Sequence, residues 1–86
     1  MVKMEVFSGD PPCPGCVAIL TLADEFAEKY QGRVEMTKYI GHAGLSRFQE
    51  YKMVCVPAVV INGTIKIEGI CPSRQTLEHA LIQGGL

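Results

Sequence analysis

Apolar and polar residues alternate over Lys3–Phe7, and the run stops at SGDPP, which predicts a strand followed by a loop. The period then changes. Ile19, Leu20, Ala23, Phe26, Ala27 and Tyr30 recur at helical spacing, leaving Asp24, Glu25, Glu28 and Lys29 for the opposite face, so an amphipathic helix runs from about Cys16 to a stop at Gly32. Alternation returns in Arg33–Ile40, a second strand that a helical crossover makes parallel to the first. A shorter helix is expected across Ala43–Tyr51, with Leu45 and Phe48 as its apolar face. Ala58–Ile61 is a continuous apolar run suited to a strand covered on both faces. Asn62-Gly63 is the pair favoured in a two-residue type I′ hairpin, and Thr64–Glu68 returns antiparallel. Ser73 caps a last helix carrying Leu77, Ala80 and Leu81. The order is β-α-β-α-β-β-α, an α/β chain.

Length and composition narrow this further. With 86 residues, 48% apolar and 20% charged, the chain is expected to form a single domain, 1–86, around one core. Eight basic and nine acidic residues give a net charge of −1, with no basic face for nucleic acid. No apolar run approaches the ~20 residues of a membrane helix, and MVKMEVF lacks the apolar centre of a signal peptide. The expectation is a cytoplasmic monomer with no nucleic-acid or membrane partner, so the four cysteines are read as redox or metal chemistry rather than as a secreted disulfide framework.

Two of those cysteines form a C-x-x-C, Cys13-Pro14-Gly15-Cys16, directly after the first strand and at the mouth of its helix. Pro14 suits the first helical position, where its missing N–H costs nothing. The unpaired N–H groups and positive end of the helix favour a thiolate at Cys13, which makes it the nucleophile. Cys16, one turn further in and more buried, is the resolving thiol, and Gly15 leaves the backbone between them open to a partner. Pro57 opens a buried strand where a proline is awkward, which predicts a cis Val56-Pro57 peptide facing the cysteines. The backbone of Val56 could then pair with an extended substrate strand. Cys55 and Cys71 have three readings: small apolar residues, a second disulfide, or, with Cys13 and Cys16, a zinc or iron–sulfur site. His42 and His79 read as surface residues, and Lys3 and Lys38 as a solvated strand face.

CPGC at 13–16, EYKMVCVPAVVINGTIK at 50–66 and Gly69 together resemble the thioredoxin superfamily, most nearly the small thioredoxin/glutaredoxin-like proteins of archaea and bacteria. The resemblance implies a minimal thioredoxin fold, a four-stranded mixed sheet in the order 2-1-3-4 with helices on both faces. It also implies dithiol–disulfide exchange, with Cys13 attacking, Cys16 resolving, Pro57 as cis-proline and Gly69 as a site of close backbone approach. The implied activity is a thiol–disulfide oxidoreductase that reduces protein disulfides and is recharged by an upstream reductase, with no cofactor beyond the Cys13–Cys16 disulfide. Glutathione-dependent turnover and a metal- or cluster-binding module are the alternatives. Departures are specific: Pro12 stands where thioredoxins carry tryptophan, and Phe7 where they carry a buried aspartate, with Asp10 as a candidate substitute. Against glutaredoxins, Gly15 replaces an aromatic, Pro11 replaces a base, and Ser73 alone supplies a hydroxyl near the final turn, which favours a protein partner over glutathione.

Overall fold

In the computed structural model, which describes residues 1–86, the period changes along the chain become strands β1 (Val2–Ser8), β2 (Val34–Ile40), β3 (Ala58–Ile61) and β4 (Ile65–Glu68) and helices α1 (Pro14–Lys29), α2 (Leu45–Glu50) and α3 (Arg74–Gln83). The sheet order is β2-β1-β3-β4. β1 and β2 run parallel, while β3 is antiparallel to both β1 and β4. This is the minimal thioredoxin fold, with its mixed sheet in the order 2-1-3-4.

Side-chain alternation along β1 and β3 divides the core between two faces. Val2, Met4 and Val6, with Val59 and Ile61, point toward α1 and α3 and join Ile19, Phe26, Leu77 and Leu81 in the main cluster. Phe7, Ala58 and Val60 point the other way and meet Met53, with Tyr39, Phe48 and Tyr51 packed against them. Glu5 shares this second face and is only 8% exposed. Burial alone would push its carboxyl up, but hydrogen bonds from the Tyr51 hydroxyl, Arg47 and the Tyr39 hydroxyl outweigh it and hold the group below the ordinary carboxylate range. Tyr51 in turn is pushed up to about 12, by burial first and then by Glu5.

Three local features differ from the sequence reading. The segment expected as a helix from Ala43 begins as a 3₁₀ turn at Gly41–Gly44, and α2 is only six residues long with no buried side chain. Leu45 is therefore not core but 46% exposed. The turn geometry at Asn62-Gly63 is as the pair predicts, with φ of 53° and 73° and Thr64 N–H donating to Ile61 C=O at 3.1 Å. Yet the ladder resumes at Ile61↔Ile65, so Thr64 is an extra residue and the connection has three residues, not two. Asn62 explains the offset, because its N–H donates to Lys3 C=O and its side chain both accepts from Lys3 N–H and donates to Gly84 C=O, pinning the corner.

Candidate active site

The C-terminal end of β1, the start of α1 and the loop before β3 meet at one end of the sheet. Cys13 is the N-cap of α1, with extended backbone, and Pro14 takes the first helical position. The cap is a thiol rather than a hydroxyl: Cys16 N–H donates to Cys13 Sγ at 3.2 Å. One turn of helix brings the two sulfurs to 2.7 Å, both as free thiols, with Cys13 half-buried and Cys16 fully buried.

Burial alone would push the Cys16 thiol up. Hydrogen bonds from the Cys13 thiol and from the Gly9 N–H at 3.5 Å overcome that and leave it below the ordinary thiol range. The Cys13 thiol donates to Cys16 Sγ, which stabilises the charged form of the buried sulfur. Access separates them: an incoming electrophile reaches Cys13 and not Cys16.

Val56-Pro57 is cis and lies against the motif. A Cβ on Gly15 would come within 3.2 Å of Pro57 Cγ, so this glycine lets the helix mouth pack close to the proline ring while the residue itself stays half-buried. Asp10-Pro11 is also cis, which the sequence reading did not anticipate. Pro57 C=O accepts from Gly69 N–H at 2.9 Å, which ties the loop after β4 to the loop before β3. Gly69 has φ of +85°, and an added Cβ would find only ordinary contact with Cys55 Cβ at 3.8 Å. The left-handed backbone, not crowding within the chain, is what calls for glycine there. Val56 N–H and C=O make no hydrogen bond within the protein.

The other candidates make no hydrogen bond to either sulfur. Pro12 and Pro14 are exposed around the motif. Cys55 is exposed beside Gly69. Cys71 packs against the main core, where burial pushes its thiol up, as for a small apolar residue. Both are free thiols, so no second disulfide joins them, and no three Cys, His, Asp or Glu side chains converge as a metal site would require. Asp10 is exposed and makes no hydrogen bond to either sulfur; it packs beside Gly41. Phe7 turns toward the aromatic cluster, so the polar contact to Cys16 from this segment comes from the Gly9 N–H instead, while the Ser8 hydroxyl donates to Gly9 C=O. The Gly9 contact is not legible in the sequence, because a backbone N–H carries no residue signature. His42 and His79 are exposed, as is Lys3, and Lys38 pairs with Asp24.

A family model described as thioredoxin domain matches residues 2–82. A probable thioredoxin of Methanothermobacter thermautotrophicus is 31% identical over 94% of this chain and 93% of its own length. A thioredoxin of Methanocaldococcus jannaschii is 31% identical over 93% and 92%. Among solved structures, chloroplastic thioredoxin z superposes with a TM-score of 0.75 at 22% identity, over 99% of this chain and 80% of that one. A malarial protein superposes with a TM-score of 0.81 at 17% identity, over 100% and 99%; these two likenesses speak to the fold alone. The cysteine pair at the helix mouth and the match along nearly the whole chain lead to one conclusion: the chain belongs to the thioredoxin family and is a thiol–disulfide oxidoreductase.

Proposed function

We propose that this chain reduces disulfides of other proteins by dithiol exchange through Cys13 and Cys16, as one domain spanning 1–86. The observation that carries the reading is the pairing of a reachable sulfur with a fully buried one at 2.7 Å. The Cys13 thiolate attacks a substrate disulfide, forming a mixed disulfide and expelling one substrate thiolate, which takes a proton. Cys16 then attacks Cys13 Sγ, closing the Cys13–Cys16 disulfide and releasing the second substrate thiol. Two electrons pass to the substrate, and an upstream disulfide reductase returns two electrons and two protons. The Cys13–Cys16 couple is the redox group, and the proposed compartment is the cytoplasm.

A protein substrate is supported by the surface around the dithiol. Eight large apolar side chains are exposed; Met1 and Ile82 lie at the far end of the sheet, and Val17, Ile40, Leu45, Val54, Val56 and Ile70 lie at the dithiol end. Such clustering marks an interaction surface rather than scattered exposure. Val56, with its N–H and C=O free, and Pro57 behind it would hold an extended segment by main-chain pairing, with Gly69 at the neighbouring loop. Pro12, Pro14 and Gly15 shape the loop that meets it. No helix is long and apolar enough to cross a membrane. Cys13→Ser should reduce insulin disulfide reduction to the uncatalysed rate; retention of wild-type turnover contradicts the proposal.

A further inference from the structure

A cavity of about 340 Å³ opens on the α2 side of the sheet, immediately beside the dithiol. Its volume is at the lower end of the range for ligand pockets. Phe7, Tyr39 and Phe48 form an aromatic floor, and Leu45 and Val56, 46% and 39% exposed, form an apolar rim. The floor is held by its own packing: Phe7 stacks on Tyr39 at 4.9 Å and meets Phe48 edge-on at 5.7 Å. Gly44 lets the 3₁₀ turn lie close against this floor, since a Cβ there would fall 2.4 Å from Tyr39 Cβ and 3.2 Å from Phe7 Cδ2.

Two shared residues join this cavity to the dithiol. Gly9 lines it and donates its N–H to Cys16 Sγ, and the side chain of Val56 lines it while the Val56 backbone stays unpaired. No lysine or arginine lines it; its ionisable lining residues are Asp10 and His42, both exposed, and the Asp10 carboxylate disfavours an anionic guest. Successive side chains of an extended segment project to opposite sides. A strand laid along Val56 with its disulfide at Cys13 therefore turns a side chain near its cysteine toward the cavity.

We infer that this cavity is a specificity pocket, which receives one aromatic or large aliphatic side chain of the substrate polypeptide close to the disulfide under attack. The inference rests on the protein-disulfide reading above and adds what kind of sequence that substrate carries. Leu45 and Val56 close over the guest side chain, and Phe7, Tyr39 and Phe48 receive it. Gly44 lets the turn that carries Leu45 sit directly on the Tyr39 and Phe7 floor.

The test uses the reduced full-length protein and disulfide-linked peptides in which Phe or Ser is placed, one site at a time, at the two positions on either side of the cysteine. Stopped-flow measurement gives the second-order rate constant for each. At one position Phe should exceed Ser by about tenfold, the size expected for burying an aromatic side chain. In Leu45→Glu, which carries a charge into the rim, that Phe-to-Ser ratio should collapse to about one. Because Leu45 is an exposed residue on a short helix, the variant should match the wild-type urea midpoint. Equal constants for Phe and Ser at every position in the wild type, or a ratio that survives in Leu45→Glu, overturn the pocket. The wild-type comparison decides this even without the variant. Absence of reduction with all peptides would instead reject the protein-disulfide reading beneath it, so the two failures are distinguishable.

Discussion

The two faces of the sheet are built differently. Toward α1 and α3, strand residues and helix residues interlock in an entirely apolar layer from Val2 to Leu81. Toward α2 the apolar cluster is small, its helix contributes only the half-buried Phe48, and a carboxylate occupies the position under Arg47 where the first face would have a methyl group. The dithiol is anchored in the first face through α1, whereas the cavity beside it opens on the second. A rigid apolar layer fixes the sulfur geometry at the helix mouth, and a thin, partly polar layer leaves room next to it for a partner. Stability and recognition are thus assigned to opposite sides of four strands.

That division is broken most severely from the apolar side. Phe26 is 1% exposed in the last turn of α1. Phe26→Ala should cost about 4 kcal/mol, the transfer and cavity terms of a large buried ring, read as a lowered urea midpoint with unchanged slope. A loss below about 1 kcal/mol would mean that the α1 layer is not the stabilising one.

The second face should yield a smaller effect with a pH signature. Glu5→Gln keeps the shape but weakens the hydrogen bonds from Tyr51, Arg47 and Tyr39, at a cost of about 2 kcal/mol near pH 7. The sign follows from the lowered folded-state pKa of Glu5. Its charged form is favoured in the folded chain, so the contribution is fully present above the unfolded carboxylate range and is lost as pH falls through the folded value. Urea midpoints of wild type and Glu5→Gln should therefore converge as the pH drops below about 4. A difference that stays constant down to pH 2 would show that the network acts through packing and not charge.

The contrast between faces also explains what the sequence could convey. The C-x-x-C, its preceding strand, the helix period of α1 and the proline before β3 are local signals, and the structure places each where its spacing implies. Glu5 sits at a polar position of an alternating strand, so a reading by period places it in solvent. Its burial depends on Tyr39, Arg47 and Tyr51, which lie 34 to 46 residues away. Leu45 and Phe48 have core spacing but fall on a helix too short to cover them, so one remains exposed and the other half-buried. The support of Cys16 by the Gly9 N–H arises only when the β1 end folds beneath the helix mouth. The turn pair alone predicts pairing from Thr64, but the ladder resumes at Ile65, with Asn62 held by contacts across the sheet that the pair does not encode.

The central claim is that Cys13 attacks and Cys16 resolves. The most direct measurement is trapping with Cys16→Ser, in which the second step is removed while the exposed nucleophile remains. Incubation with a protein disulfide such as insulin, followed by alkylation and mass spectrometry, should show an insulin chain joined to Cys13 in nearly stoichiometric amount. The same treatment of Cys13→Ser should leave the protein without an adduct at Cys16. An adduct on Cys16, Cys55 or Cys71 in place of Cys13, or none in Cys16→Ser, would contradict the account.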